Sequence, residues 1–350
     1  MKYVNYILLL FAALAVIGEL LHWPPLAIFL FAAIGVVPMA SFMGRATEEL
    51  AIYTGPKLGG LLNATLGNAA ELIIAIVAIR EGLLTLVLAS ITGSILGNIL
   101  LILGLSFLVG GKKHGAQRFD RTQAGVNSTM LILAVIALAI PSFFNFRIAD
   151  VNQEGVEYLS LSTAAVMLIV YALSILFSFR GTSTQDELAE AHDHTPTWSR
   201  GLSIAVLAAA TVAIAGLSEI LVGAVEPVVE EFGISEFFLG IILIPLVGNV
   251  AEHVVGVQMA IKNKMDLSLA ISIGSSLQIA LFVTPILVFV SLLLGNPLQL
   301  VFDQFEIVAM IGASLIAALI ALDGESNWLE GIQLLAVYVI IGLAFFFLPM

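Results

Sequence analysis

The chain has 350 residues, 60% of them hydrophobic and 11% charged, with a mean hydropathy of +1.09. Soluble domains carry about 25% charged residues, so the composition excludes a water-soluble globule and defines a polytopic membrane protein whose first partner is the lipid bilayer. The absence of cysteine rules out disulfides, thiolate metal centres and cysteine nucleophiles, and a net charge of −12 argues against nucleic acid as a partner.

Apolar windows of spanning length fall at 4–21, 25–43, 61–80, 83–109, 124–144, 157–179, 201–223, 237–261, 266–293, 304–322 and 328–349. They predict an all-α fold of about eleven transmembrane helices. The first window has a lone early lysine and no small-residue cleavage site, and reads as a retained helix, not a signal peptide. With the N-terminus inside, the inner segments hold Lys2, Arg45, Lys57, Lys112, Lys113, Arg118, Arg121, Arg180, Arg200, Lys262 and Lys264, and the outer ones only Arg80 and Arg147. That bias places the N-terminus in the cytoplasm and the C-terminus outside, in the cell membrane.

One stretch and its echo organise the chain. Gly67-Asn68-Ala69-Ala70-Glu71 recurs 181 positions later as Gly248-Asn249-Val250-Ala251-Glu252, and the same offset carries Gly93-Ser94-x-Leu96 onto Gly274-Ser275-x-Leu277. Residues 62–100 and 243–281 share 12 identities in 39 ungapped positions. The two copies lie five windows apart, so they cross the membrane in opposite directions. This predicts an N-terminal helix over 1–23, an inverted five-helix repeat over 24–180, an acidic cytoplasmic linker over 181–200 and a second repeat over 201–350. Inverted repeats of this kind are characteristic of secondary transporters, whose sites lie near the midplane at the repeat interface.

Each copy places a carboxylate, Glu71 or Glu252, near the centre of an apolar window, where an ionised residue marks a functional site by default. Asn68 and Asn249 lie one turn away on the same helix faces. Gly67, Gly248 and Pro245 are placed to interrupt these helices and free backbone carbonyls. Ser94 with Asn98, and Ser275 with Gln278, add neutral oxygens. Two carboxylates among amide, hydroxyl and carbonyl oxygens suit a hard cation such as Ca²⁺ and disfavour a soft metal. Bland readings stand beside these. Gly93, Ser94, Gly97, Gly274 and Ser275 equally fit small-residue helix packing, and the two asparagines equally fit bonds across helices. His253 is a candidate proton relay or an interior histidine, and Glu48, Glu49, Glu226 and Glu230 are candidate vestibule acids or surface charge. Glu219 and Glu306 are intramembrane acids without a repeat partner. The linker's Asp186, Glu187, Glu190, Asp193, His192 and His194 read as a polar tether or a cation- or pH-sensing segment.

Gly-Asn-x-x-Glu followed by Gly-Ser-x-Leu-Gly-Asn, then Gly-Asn-x-x-Glu-His followed by Gly-Ser-x-Leu-Gln, resembles the cation/proton exchanger branch of the calcium/cation antiporter superfamily. The resemblance implies Ca²⁺/H⁺ antiport. Glu71 and Glu252 would bind Ca²⁺ and protons alternately, supported by Ser94, Asn98, Ser275 and Gln278, with no cofactor beyond the transported ions and the oligomeric state left open. The sodium-coupled branch carries a Thr-Ser-x-Pro-Glu-type motif where Gly-Asn-Ala-Ala-Glu stands here. A sodium- or potassium-coupled antiporter remains the alternative, ahead of a cation channel. A metalloenzyme is disfavoured, since no His-Glu-x-x-His helix is present.

Overall fold

The computed structural model describes residues 2–148, 153–178 and 196–348. Arg180 and positions 181–195 of the acidic linker lie outside the described residues. Elsewhere helix accounts for nearly everything, as hydrocarbon demands, because a backbone with no water to bond must satisfy itself. The order is α1 (Lys2–Leu20), α2 (Pro25–Thr54), α3 (Pro56–Leu66), α4 (Ala69–Arg80), α5 (Leu84–Leu96), α6 (Leu103–His114), α7 (Arg121–Ile148) and α8 (Gln153–Ser178). After the linker come α9 (Arg200–Gly223), α10 (Val225–Phe232), α11 (Glu236–Phe238), α12 (Ile244–Gly248) and α13 (Val250–Ile261). The chain closes with α14 (Met265–Gln278), α15 (Thr284–Leu294), α16 (Gln304–Ile320) and α17 (Trp328–Phe347).

Helix occupies every expected window, but its continuity varies. Among the described residues seven helices are long and apolar enough to cross a membrane unbroken, and an eighth span forms if α11–α12 and α13, bent by 63°, are counted together. Ile7–Leu20 and Gln304–Ile320 are shorter apolar helices, and the window at 61–80 is divided between α3 and α4. The connection expected over 44–60 is mostly helical. Ala46-Thr47-Glu48-Glu49-Leu50-Ala51 contains no breaker, so α2 runs on until Gly55, whose φ of 80° only glycine adopts freely, followed by Pro56.

A short antiparallel ribbon, β1 (Gln117–Arg118) with β2 (Glu325–Ser326), joins the α6–α7 and α16–α17 connections and is closed by an Arg118–Glu325 ion pair of 2.9 Å. Capping boxes at Asp303/Glu306 and Asn327/Glu330 start α16 and α17.

Close helix crossings hold the bundle together, as expected where lipid is as apolar as leucine. A Cβ on Gly93 of α5 would overlap the Ile241 carbonyl, and one on Gly240 would come within 2.6 Å of the Ala89 methyl. Gly93 and Gly240 therefore form the crossing. Gly97 and Gly274, equally eligible by spacing, face open space. Most buried apolar residues form one continuous core. Ala40, Met43, Ala69, Ala70, Ala210 and Ile214 form a separate small cluster between α2, α4 and α9.

Candidate functional site

Both motif helices break at their asparagine. Gly67 closes α3, Asn68 takes φ −98°, ψ 23°, and α4 begins at Ala69. Asn249 takes φ −91°, ψ 3° between α12 and α13. Both lie in the sparsely populated bridge region, where active-site residues recur. The breaks relocate the carboxylates electrostatically. Within an unbroken helix each glutamate would lie mid-span, but Glu71 and Glu252 instead occupy the first turns of α4 and α13. Unpaired N–H groups and the positive dipole end favour negative charge there.

The two carboxylates are seated reciprocally. The Cβ position on Gly248 lies 3.1 Å from Glu71 Oε1 and 3.2 Å from its Cγ, while that on Gly67 lies 3.5 Å from Glu252 Oε1. Each glutamate thus rests on the glycine of the other motif, and at Gly248 any side chain would crowd the Glu71 carboxylate.

Neutral groups lock the two copies to one another. Asn68 Nδ2 donates to Gln278 Oε1 at 2.6 Å, Ser275 Oγ donates to Asn68 Oδ1 at 3.3 Å, and Asn98 Nδ2 donates to Ser275 Oγ at 3.1 Å. Across the pseudo-symmetric position Asn249 Nδ2 donates to Ser94 Oγ and to the Pro245 carbonyl, both at 3.1 Å. Asn98 is the second residue of a π-helical segment, Gly97–Ile102, and Gln278 precedes another, Ile279–Val283. Such segments frequently mark functional sites. Asn68 has both amide atoms engaged, whereas Asn249 Oδ1 has no partner.

Three enclosed oxygens lack a donor: Glu71 Oε2, Glu252 Oε2 and Asn249 Oδ1. A buried acceptor without a partner is rare enough to require a reason, and a cation supplies one. Among the described residues no three His, Cys, Asp or Glu side chains cluster, so the formal charge available at the site is that of the two glutamates.

The other candidates are dispersed. His253 is only 8% exposed and its Nε2 is without a partner. Glu226 and Glu230 are exposed on α10, and Glu48 is exposed on α2. Glu49 is turned to structural use. It is 7% exposed and accepts from the backbone N–H of Thr197 (2.8 Å) and Trp198 (3.1 Å) and from the Thr197 hydroxyl. Arg45 stacks on the Trp198 ring at 4.5 Å and the Tyr53 hydroxyl donates to the Trp198 carbonyl at 2.7 Å, docking the lead-in to α9 onto α2.

Glu219 pairs with Arg80 at 2.9 Å. Glu306 is 1% exposed, accepting from the Thr92 hydroxyl and from Asp303 N–H, both at 2.8 Å. The Asp303-x-x-Glu306 spacing already spells that capping box, whereas nothing in the sequence marks the contact with Thr92.

A polytopic all-α fold with paired intramembrane carboxylates at broken helices defines a membrane transporter, not an enzyme. The chain belongs to the sodium/calcium exchanger protein family, matched over residues 24–180 and 202–347, and within it to the cation/proton exchanger branch that the paired motifs resemble. It is 44% identical over 357 residues to a Ca²⁺/H⁺ antiporter of Aphanothece halophytica, spanning 98% of this chain and 96% of that one. It is 45% identical over 340 residues to the Ca²⁺/H⁺ antiporter ChaA of Bacillus subtilis, spanning 96% of each. The solved structure of native YfkE superposes with a TM-score of 0.87 at 43% identity, over 99% of this chain and 100% of that one.

Proposed function

We propose that the protein is a secondary active antiporter that exports Ca²⁺ from the cytoplasm in exchange for H⁺, both competing for Glu71 and Glu252 by alternating access. The observation that carries the reading is the set of three enclosed, donorless oxygens, Glu71 Oε2, Glu252 Oε2 and Asn249 Oδ1, between two facing half-helix N-termini. The names of the relatives support the choice of ions. Ser94, Asn98, Asn68, Ser275 and Gln278 hold the two copies in register, and Asn249 has an enclosed amide oxygen to offer.

Charge balance supplies the coupling. Two ionised glutamates around Ca²⁺ are nearly neutral, and so are two protonated ones. The empty site is a dianion, which is costly to carry through a low-dielectric barrier. Only loaded forms switch, so the fluxes are linked. The two copies act as an inverted five-plus-five repeat with α1 outside it, the N-terminus in the cytoplasm and the C-terminus outside the cell membrane. The moving elements in this reading are α2 and α9, tied by the Glu49 dock and meeting α4 through a small alanine-rich cluster.

The test is uptake of radiolabelled Ca²⁺ into proteoliposomes under an imposed pH gradient, with a sodium gradient as control. Uptake follows the proton gradient and collapses with a protonophore, and Glu71→Gln or Glu252→Gln each abolishes it. Near-normal proton-driven uptake by either variant refutes the assignment. Uptake driven by sodium alone transfers the chain to the sodium-coupled reading and leaves the site in place.

A further inference from the structure

Eight enclosed side-chain atoms lack a hydrogen-bond partner among the described residues. Three belong to the glutamate site. Four of the remaining five, Gln117 Oε1, Ser106 Oγ, Ser268 Oγ and His253 Nε2, lie on or beside a single helix, α13. Its register against its neighbours follows from two glycines. A Cβ on Gly256 would lie 3.1 Å from Ile102 and 3.9 Å from Ser272 Oγ, and one on Gly110 would lie 3.2 Å from Ala260 and would overlap Gln117 Oε1.

Ile102, at the end of the π-helical segment, and Ser106 and Gly110 of α6 follow one another at four-residue spacing, so Ser106 faces α13 between those contacts. Ser268, Ser272 and Ser276 are likewise successive turns of the α14 face that meets Gly256. His253 is one turn from Gly256 on the same face of α13. The seam runs from Gln117, which donates to the Ala260 carbonyl at 3.0 Å and to Asn263 at 2.8 Å, inward to the turn that carries Glu252.

Ser106, Ser268, Ser272 and Ser276 are all at most 1% exposed. Ser272 and Ser276 donate to the carbonyls of Ser268 and Ser272, at 3.1 and 3.0 Å, and their oxygens remain free to accept. Residues one turn apart are separated by roughly 6 Å along a helix, twice a hydroxyl–water hydrogen bond of about 2.8 Å. A single water between each successive pair of hydroxyls would span that gap. Buried waters belong where enclosed polar groups lack partners.

We propose that this seam is a hydrated path that carries protons between the cytoplasm and Glu252, separate from the route of the cation. It rests on the antiport reading above. Among the described residues the seam between Gln117 and Glu252 offers hydroxyl, amide and imidazole groups, so Ca²⁺ finds no carboxylate to replace its hydration. A proton needs only the hydrogen-bonded chain. As cytoplasmic Ca²⁺ takes the site, the proton on Glu252 passes to the adjoining water. Each water or hydroxyl accepts one proton and releases another, and the last enters bulk water at Gln117. No group is consumed, and His253 need not become charged.

The charged and titratable groups around the inner mouth include Lys113 and His114 from α6, both on the Ile261 carbonyl, Arg118 beside Gln117 with its partner Glu325, Lys262 and Lys264 from the α13–α14 turn, Asp120, and Asp266 from α14, which accepts from Asp120 N–H.

The experiment uses the full chain with Ser106→Ala and Ser268→Ala together. Ca²⁺ affinity of the purified protein is measured at fixed pH, and Ca²⁺-driven proton flux is followed in proteoliposomes with an internal pH dye. The expected result is a dissociation constant within about twofold of wild type, a flux roughly tenfold slower, and recovery in the corresponding threonine pair, which restores the hydroxyls. An unchanged flux in the alanine pair overturns the proposal. So does a loss of affinity in step with flux, which marks the serines as packing alone. A wild-type protein whose Ca²⁺ flux ignores protons refutes the antiport reading itself, whereas a coupled wild type with an unaffected alanine pair refutes only the path.

Discussion

Replacing Gly248 by alanine tests the reciprocal seating of the glutamates. The added methyl carbon would sit 3.1 Å from Glu71 Oε1 and 3.2 Å from its Cγ, where ordinary contact begins at 3.4 Å. The Glu71 carboxylate therefore retreats by about 0.3 Å. Ca²⁺–oxygen bonds fall within a window of about 2.3–2.6 Å, so the retreat equals the whole tolerance of one ligand.

Weakening one such bond by about 1.4 kcal/mol lowers Ca²⁺ affinity about tenfold. The backbone is not the cause, because Gly248 has no positive φ and alanine is favoured over glycine within a helix by about 0.5–1 kcal/mol. Calcium titration calorimetry alongside a thermal melt separates the two effects: affinity falls and the melting temperature holds or rises. Wild-type affinity in a folded Gly248→Ala protein would refute the cross-seating. Gly67→Ala is the contrasting case. Its methyl lies at an ordinary 3.5 Å from Glu252 Oε1 but 2.7 Å from its own Asn63 carbonyl, so stability falls more than affinity.

Gly93→Ala drives a methyl into the Ile241 backbone, which cannot yield as a side chain can, and is expected to cost at least about 2 kcal/mol, read as a lowered melting temperature in detergent. Glu49→Ala frees the Thr197 and Trp198 donors that it holds, and limited proteolysis at Trp198 is expected to speed roughly tenfold while the melting of the bundle changes little. Asn249→Ala removes the free amide oxygen and is expected to weaken Ca²⁺ binding about three- to tenfold. Asn68→Ala instead breaks the bonds to Gln278 and Ser275 and lowers thermal stability.

The apolar windows and the helix breaks were legible because hydrocarbon leaves few alternatives. A carboxylate amid twenty apolar residues, doubled at a fixed offset, stands out in the sequence as a site candidate. Where several sequences satisfy the same local rule, the sequence was silent. Gly93 and Gly97 look alike at helical spacing, yet only Gly93 meets another backbone. Glu49 and Glu48 are adjacent acids, and which one turns inward depends on residues 148 positions away. The ribbon pairing Arg118 with Glu325 spans a similar distance in sequence. Hydropathy falls after position 43 without ending α2, because the first helix stop in the sequence is Gly55-Pro56.

The cross-seated glutamates make the contact between the motifs isologous, in the sense used for two-fold dimers: residue 71 stands to 248 as 252 stands to 67. Each glycine abuts the carboxylate of the opposite half, tightly at Gly248 and at ordinary contact distance at Gly67. The two motifs thus pack on one another as the two faces of a symmetric dimer do, although they are covalently one polypeptide.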